Sequence, residues 1–434
     1  RSGTGPSIRR REWQLRGVLA AATVLVVDEC SMLSEQLFND ADSQARSARQ
    51  CRSRPFGGLQ VLMLGDFLQL PPVGDRATAD GRFCFASPVF DQLFAGRMFR
   101  LTQQMRQGDD ACFASVLSRI RRGECPADVL ALLRTRLVSA AAAPSARHVT
   151  HLFCLRRDAE ACNAASLAEL PFTSRQWRAL DWFASEECRR VANTLPLEPE
   201  IELKTGAPVL LVRNIDLTRR LVNGTRGVVC GVHTLCELGI GPRCGDPETC
   251  DVCAERSSPI SEHLELLGDQ PPRGWTGHLP VVDFGGEGRR FIVGTVTVEK
   301  KRPAKRKSTA TTLKRKAAAL EAASASVSSG QKLASRTQLP LMLAFGLTVH
   351  KAQGMTLERV CLALNRAFDP GQVYVGLSRC PKLKDVYLVS SYVPTERIRA
   401  SPEALLFERT KMREPALAQS TAVAAASSSS DGTK

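Results

Sequence analysis

The chain has 434 residues, enough for two or three domains, and its composition (43% hydrophobic, 24% charged) is typical of a soluble globular protein. Its longest apolar stretch, residues 18–27, is too short for a transmembrane span, and no secretory signal opens the chain. The formal charge of +15 suits a polyanionic partner, nucleic acid before an acidic membrane, but the nine basic residues of 300–316 supply most of it, so charge alone is weak evidence.

The first third of the chain alternates apolar strands with helices. The runs "TVLVVDE" (23–29) and "LQVLMLGD" (59–66) are continuously apolar and end in acid, which predicts parallel strands covered on both faces. A helix is expected from about 35 to 50 between them. Apolar residues at i, i+3, i+4 and i+7 predict an amphipathic helix through Phe113, Val116, Leu117 and Ile120.

The rest of the chain predicts a second α/β segment interrupted by a β module. A strand is expected at 151–155, followed by a helix through Asn163 and Leu167. Short strands with glycine turns are expected at 201–232 and 279–298, and regular α/β structure at 338–392. Three stretches are expected to lack regular structure: 233–278, the basic and Ser/Ala-rich run to about 335, and the tail.

Two adjacent carboxylates close the first strand. At the carboxyl end of a strand, Asp28 can hold a Mg²⁺ bound to nucleotide phosphates, and Glu29 can polarise the attacking water. Taken alone the pair is weak evidence, because an apolar strand that ends in Asp-Glu commonly marks only a turn. A second such end follows in "GDFLQLPPV", where a proline-stiffened loop places Gln69 to bind a γ-phosphate or the attacking water.

Two later motifs offer cations and polar groups for phosphate and nucleic acid. In "GQVYVGLSRC", Arg379 closes a helix and is suited to transition-state charge, and Arg106 in "QQMRQ" is a second candidate phosphate sensor. In "LTVHKAQGMTL", the sequence offers Thr348, His350 and Lys351 for a nucleic-acid backbone, and Gln353 with Gly354 for nucleotide. Each arginine alone is more simply explained as a surface or salt-bridge residue.

Together these motifs resemble those of the Pif-family helicases, which belong to superfamily one and are related to RecD. The resemblance covers about 18–230 and 279–392, and its motifs are "VVDECSML", "FGGLQVLMLGDFLQLPPV", "LTQQMRQGDDACFASVLSRIRRGE", "LKTGAPVLLVRN" with "LVNGTRGVV", "LAFGLTVHKAQGMTL" and "GQVYVGLSR". It implies an α/β fold of two RecA-like P-loop NTPase domains, the first incomplete, with a small SH3-like β insertion. It also implies ATP and Mg²⁺ as cofactors, single-stranded DNA and DNA forks as partners, and 5′ to 3′ translocation.

The resemblance assigns roles to the motif residues and divides the chain. Asp28 and Glu29 become the Mg²⁺ and water residues, Gln69 the γ-phosphate sensor, and Arg106 and Arg379 the arginine pair. Thr348, His350 and Lys351 become the DNA contact. The implied segments are the end of the first RecA-like domain (1–105), the first part of the second (106–200), the SH3-like insertion with a Cys-rich loop (201–298), a basic disordered linker (299–337), the second part of the second domain (338–400) and a low-complexity tail (401–434).

One family motif has no match. A GxxxxGKS/T loop, whose amides and lysine hold phosphates, is absent; "SGTGPS" near the start has glycines but no lysine and no preceding strand. Because the chain also does not begin with methionine, truncation is the simplest account, and the chain as given is expected to hydrolyse ATP poorly or not at all. One alternative is a non-enzymatic relative that binds DNA or partner proteins. The other is a RecD-type nuclease subunit, but the sequence offers no nuclease-like carboxylate cluster to support it.

Two weaker signals remain. His233, Cys236, Cys250 and Cys253 have zinc-site spacing, although the chain is generally cysteine-rich and contains a single CxxC. The basic run resembles a two-part nuclear import signal and equally a DNA-gripping loop or a solvated linker. The fifteen cysteines predict reduced thiols in an intracellular compartment, and family members occur in nuclei and mitochondria, so either is expected. Roles in repair, recombination and telomere maintenance are expectations of the family alone.

Overall fold

The structure is a computed structural model that describes residues 17–234, 238, 264–269, 278–285, 289–301 and 332–412. The helices are α1 (Glu35–Ala48), α2 (Pro88–Phe94), α3 (Ala111–Arg121), α4 (Ala127–Arg134), α5 (Arg156–Ala168), α6 (Arg189–Ala192), α7 (Gln372–Ser378) and α8 (Pro402–Lys411). The strands are β1 (Val24–Val27), β2 (Gln60–Met63), β3 (Leu137–Val138), β4 (Thr150–Phe153), β5 (Arg175–Arg178), β6 (Leu180–Phe183), β7 (Glu200–Leu203), β8 (Pro208–Leu211), β9 (Arg226–Thr234), β10 (Glu265–Leu267), β11 (His278–Asp283), β12 (Arg290–Val293), β13 (Val296–Lys301), β14 (Lys332–Gln338), β15 (Leu341–Leu343), β16 (Gly346–Thr348), β17 (Val360–Ala363) and β18 (Val386–Val389).

The chain forms two compact units. Unit 1 comprises residues 1–143 and 352–434, and unit 2 comprises residues 144–351. Mixed helices and strands with parallel pairing confirm the α/β class. The finer segment boundaries expected from the sequence stay a prediction. Among the helices that the structure describes, none is both long and apolar enough to cross a membrane.

In unit 1, β1 and β2 pair in parallel, with Val24 opposite Gln60 and Val27 opposite Met63. The predicted helix between them is confirmed as α1, which begins where the Ser34 hydroxyl accepts a hydrogen bond from the amide of Leu37 at 3.2 Å. Phe38 and Ala45 of α1 lie in a buried cluster with Phe56, Phe90 and Phe407, so one face of the strand pair is packed.

The other face of this strand pair corrects the sequence analysis. Both strands were expected to be covered on both faces, yet Val24, Val26 and Leu62 are 42%, 55% and 48% exposed. Strand side chains alternate between faces, and Leu25, Val61 and Met63 take the face toward the core. The opposite face is therefore only about half covered.

The remainder of unit 1 carries the other predicted elements. The amphipathic helix is confirmed as α3, and all four of its apolar positions are buried. β17 pairs in parallel with β18, and β18 with β3. Cys30, Cys84 and Cys361 are buried and act as small core residues.

The structure differs from the expected tail. Residues 402–411, within the stretch assigned to low complexity, form α8. Ser401 caps this helix by accepting from the amide of Ala404, and Pro402 occupies its first turn. Ala404 and Phe407 are buried against the phenylalanine-rich core of unit 1, which explains why so short a helix forms.

Unit 2 combines a parallel strand pair with the predicted β module. β4 and β16 pair in parallel, and α5 follows β4 as expected. Six strands form a sheet in the order β10-β12-β11-β9-β8-β15, whose pairings are antiparallel except for β10 with β12. Its core is built from large apolar side chains, among them Trp177, Leu203, Val209 and Phe345.

A second sheet of unit 2, in the order β13-β14-β6, differs from the expected basic linker. The linker was placed at 299–337, but β13 continues to Lys301 and β14 begins at Lys332. Antiparallel pairing of these two strands accounts for the added order at both ends. Residues 302–331, which include most of the basic run, lie outside the described residues.

Candidate functional site

The two acidic residues after β1 lie in an unusual backbone turn of unit 1. Asp28 is exposed and its carboxylate accepts a hydrogen bond from the amide of Glu29 at 2.9 Å. Glu29 has φ 50° and ψ 46°, the left-handed region, which costs a residue with a side chain about 1–3 kcal/mol. Such strain is typical of functional positions, where the rest of the fold holds the backbone.

The turn is held by the loop that follows β2. The amide of Cys30 donates to the carbonyl of Leu64 at 3.0 Å. Gly65 passes so close that a Cβ at this position would lie 2.7 Å from the Cys30 nitrogen. A larger residue at position 65 would therefore push the two strand ends apart.

Gln353 and Gly354, the expected nucleotide residues, meet Glu29. Gln353 Nε2 donates to Glu29 Oε2 at 2.9 Å and lies 3.4 Å from Ser31 Oγ. Gly354 has φ +80°, and a Cβ there would lie 3.5 Å from Glu29 Oε1. Among the described residues, no group donates a hydrogen bond to the buried Oε1 atom of Gln353, so this atom can accept one from a bound molecule.

Gln69 lies on the turn after β2, in the same unit. Its amide donates to the carbonyl of Asp66 at 2.9 Å, and its buried side-chain Oε1 has no hydrogen-bond partner within the part of the chain that the structure describes. Two glutamines thus present unpaired acceptors in unit 1, an arrangement that costs free energy unless a ligand or water occupies it.

The two predicted arginines are anchored to the end of α7. Arg106 donates to Thr356 Oγ1 at 3.0 Å and to the carbonyl of Ser378 at 3.2 Å. Arg379 is only 2% exposed and donates to the carbonyl of Val375 and to Ser378 Oγ, both at 2.9 Å.

Arg379 has no carboxylate within ion-pair distance among the described residues. Burial, and then the charge of Arg106, lower the pKa of Arg379 to about 10, so the group stays protonated at neutral pH. The pair therefore concentrates positive charge on which Glu29 and Asp66 act only from beyond ion-pair distance. Such a site suits a phosphate group.

The sequence analysis missed a neighbouring residue that positions this pair. Gln107 is 4% exposed, and its Nε2 donates to the carbonyls of Ser378 and Cys380 at 3.2 and 2.8 Å. It thereby fixes the segment that carries Arg106. Nothing in the sequence distinguishes this glutamine from Gln103 or Gln104, because its partners lie about 270 positions away.

The expected DNA-contacting residues belong to unit 2. Thr348 ends β16, and its Oγ1 accepts from the amide of Lys351 at 3.3 Å. Lys351 is exposed and His350 is half-buried. The Lys351 side chain is therefore accessible to a polyanion.

The zinc prediction stays untested. Cys236, Cys250 and Cys253 lie outside the described residues, and His233 lies in β9. No group of three or more metal-ligating side chains occurs within the part of the chain that the structure covers.

Comparison with known proteins supports the sequence resemblance. Residues 5–129 match the family of PIF1-like helicases, and residues 191–232 match the 2B domain of the DNA helicase Pif1. The chain is 32% identical to the human ATP-dependent DNA helicase PIF1 over 90% of its own length and 49% of the relative's. It is also 32% identical to the Xenopus laevis protein of that name, over 92% of the chain and 51% of the relative.

Solved structures agree on the fold. The Candida albicans Pif1 helicase superposes with a TM-score of 0.67 at 22% identity, covering 93% of this chain and 80% of that one. Bacteroides Pif1 bound to single-stranded DNA gives 0.64 at 23% identity, covering 94% and 78%. The RecA-like α/β fold is thereby confirmed. The chain spans about half the length of the curated relatives it matches.

Proposed function

We propose that this chain, a homologue of the PIF1-like helicases, is the motor portion of an ATP-dependent DNA helicase that translocates 5′ to 3′ on single-stranded DNA. The proposal assigns nucleotide chemistry to unit 1 and contacts with the nucleic-acid backbone to Thr348, His350 and Lys351 of unit 2.

One observation carries the proposal: the buried Arg379 of unit 1 has no carboxylate within ion-pair distance among the residues that the structure describes. Placing an uncompensated cation in a protein interior costs several kcal/mol on the order-of-magnitude scale. Among the described residues, Arg379 donates only to carbonyl and hydroxyl groups, and Arg106 adds like charge beside it. A bound polyphosphate would neutralise the charge of both arginines, which would explain why the fold keeps them together.

The residues present fit ATP and Mg²⁺. Mg²⁺ commonly uses one or two protein carboxylates together with phosphate oxygens, and the exposed carboxylate of Asp28 at a strand end meets that need. The unpaired acceptors of Gln69 and Gln353 suit the hydrogens of a water molecule. When bound, Mg²⁺ supplies charge neutralisation at the transferring phosphate.

The chain's own groups divide the work of hydrolysis. Glu29 polarises the attacking water, and Gln353 orients the Glu29 carboxylate through its 2.9 Å hydrogen bond. Gln69 binds the γ-phosphate and so distinguishes ATP from ADP. Arg106 and Arg379 stabilise the negative charge that develops on the γ-phosphate. A loop of the GxxxxGKS/T kind is absent from the printed sequence, so the groups that grip the β- and γ-phosphates are missing from this assignment.

A second candidate is a catalytically inactive relative that binds DNA or partner proteins. The absent phosphate loop favours it. Retention of Glu29 in a strained turn against Gln353 argues the other way, because DNA binding alone has no need for that strain. Roles in repair, recombination or telomere maintenance, and a nuclear or mitochondrial location, stay predictions.

The test is ATP hydrolysis with and without single-stranded DNA, by this chain and by the complete gene product, each beside Arg379→Ala. We expect the chain alone to be nearly inactive. We expect the complete protein to show DNA-stimulated hydrolysis that the substitution abolishes. If the complete protein binds single-stranded DNA but never hydrolyses ATP, the inactive relative is the correct reading.

A further inference from the structure

An ion network lies behind the Gln69 turn. Arg121, the last residue of α3, donates from Nε to Asp66 Oδ2 at 2.8 Å and from Nη2 to Asp66 Oδ1 at 2.6 Å. Its Nη2 also donates to Glu408 Oε1 of α8, and Arg100 pairs with the other Glu408 oxygen at 3.0 Å. The side chains of Arg121, Asp66 and Glu408 are only 22%, 18% and 10% exposed.

Mutual pairing dominates the chemistry of this network. Burial alone would lower the pKa of Arg121, but hydrogen bonds and charge from Asp66 and then Glu408 outweigh it and raise the pKa above its ordinary value. The arginine is therefore held as a cation with both carboxylates fixed around it. A bidentate arginine–carboxylate pair also fixes orientation, which a single contact does not.

Asp66 uses its remaining capacity to shape the turn. Its Oδ1 accepts from the amide of Leu68 at 3.0 Å, and its carbonyl accepts from the amide of Gln69 at 2.9 Å. Leu68 is 1% exposed and packs with Ala404 of α8. The Gln69 backbone is thus set by a carboxylate that Arg121 holds.

The other side of the turn touches the helix that ends at Arg379. Gly371, which precedes α7, approaches so closely that a Cβ there would lie 2.5 Å from the Gln69 carbonyl oxygen. A displaced Asp66 would therefore shift Gln69 relative to α7. It would also free a carboxylate whose charge already acts on Tyr374 and Arg379.

We propose that Arg121, itself fixed by Glu408, is a positioning residue that sets Gln69 through the carboxylate of Asp66. The inference rests on the proposed function, because it matters for hydrolysis only if Gln69 meets the γ-phosphate. It gives α8 a part in the active site although no residue of α8 belongs to a motif.

The first arm of the test measures hydrogen exchange of the Leu68 and Gln69 amides in Arg121→Gln, Arg121→Lys and Glu408→Gln. Amides exchange faster where the turn opens more often. Without the Arg121–Asp66 ion pair we therefore expect about tenfold faster exchange at these two amides in Arg121→Gln. The effect should be smaller in Glu408→Gln and partly rescued in Arg121→Lys. Lys411→Gln is the matched control, because it removes an α8 charge whose partner is the exposed Asp91. Unchanged exchange at Leu68 and Gln69 in Arg121→Gln overturns the proposal.

The second arm measures hydrolysis by the complete gene product. We expect Arg121→Gln to lower kcat about 10- to 100-fold with little change in KM, as misplacement of a catalytic group does. In a Gln69→Ala background the same substitution should change kcat little, because the group it positions is gone. An undiminished effect in that background would show a general structural role and overturn the proposal.

The two arms separate this inference from the proposed function. If the wild-type complete protein does not hydrolyse ATP, the helicase proposal fails, and the exchange arm still decides whether Arg121 sets the turn. Glu408→Gln serves if Arg121→Gln does not fold, because it leaves the Asp66–Arg121 pair in place.

Discussion

Two buried arginines, one in each unit, have the same exposure and opposite surroundings. Arg336 of unit 2 is 2% exposed; it donates to both carboxylate oxygens of Asp181 at 2.8 and 2.7 Å and to the carbonyl of Leu197 at 2.8 Å. Arg379 of unit 1 is equally buried, but its hydrogen bonds to described residues go only to carbonyl and hydroxyl groups. A buried cation that the fold satisfies contributes to structure, whereas one that the fold leaves without a counter-charge is held ready for an anion from outside.

The same contrast extends to the groups around each arginine. Near Arg379, Glu29 has a strained backbone, and Gln69 and Gln353 each carry an unpaired buried oxygen. Near Arg336, Gln338 has a partner for both ends of its amide: Nε2 donates to the carbonyl of Trp177, and Oε1 accepts from the amide of Leu339. Backbone strain and unsatisfied polar atoms thus occur together at the candidate site, although each also occurs elsewhere, as at Phe56 and Arg397.

The largest expected effect is on hydrolysis by Arg379→Met in the complete protein. Loss of an arginine that stabilises the transferring phosphate lowers turnover by about 1,000-fold or more. The free energy of unfolding should stay level or rise, because a buried unpaired charge is replaced by an apolar side chain of similar size. Steady-state hydrolysis and urea unfolding of the same preparation check both. A large loss of stability would mean that Arg379 is structural, like Arg336.

The matched variant Arg336→Met should behave in the opposite way. Removal of one partner leaves Asp181 without its bidentate donor, which costs about 3–5 kcal/mol for a buried pair. Urea unfolding, with a probe in unit 2 such as Trp177 fluorescence, measures the loss. Turnover per folded molecule should change far less than in Arg379→Met. If the two variants lose turnover equally, Arg379 does not have a catalytic role that Arg336 lacks.

A third variant pair separates strain from chemistry at Glu29. Glu29→Gln and Glu29→Gly both remove the carboxylate, so each should lower turnover by about 100-fold or more. Only glycine adopts φ 50° without steric cost, so Glu29→Gly should be about 1 kcal/mol more stable than Glu29→Gln. Thermal unfolding of the two proteins under one buffer decides the point. If Glu29→Gly is instead less stable than Glu29→Gln, the left-handed backbone at position 29 is not strained.

The sequence predicts where helices and strands form better than it predicts what packs against them. The period of α3 and the apolar runs of β1 and β2 are local signals, and both were confirmed as elements. The covering of β1 and β2 was predicted wrongly, because a continuous apolar run says nothing about which neighbours are present. α8 was missed because it buries only Ala404 and Phe407, which is too little to show as a period.

Candidate site residues could be chosen from sequence because strand ends and motif order limit the choice. Their supporting contacts could not. Arg106 meets Thr356 across 250 positions, and Arg121 meets Glu408 across 287. No local pattern encodes such pairs, because they arise from tertiary packing. The roles of the chosen residues stay proposals until the variants are measured.

The smallest expected effect concerns DNA binding by unit 2. It tests whether the exposed Lys351 contacts a phosphate of the DNA. Lys351→Ala removes one exposed charge beside Thr348. If Lys351 contacts a phosphate, the slope of log affinity against log salt should fall by about 0.7, the value for one contact on a single strand. Fluorescence anisotropy of a labelled oligothymidylate across a potassium chloride series gives that slope.

Lys411→Ala is the control for charge alone, since it also removes one lysine, from α8 of unit 1, where Asp91 pairs with it. A loss of net charge acts on both variants alike, whereas a lost phosphate contact acts on Lys351→Ala only. Equal slopes for the two variants would therefore refute the contact. A smaller slope for Lys351→Ala alone would mean that unit 2 contacts a DNA phosphate through the exposed Lys351.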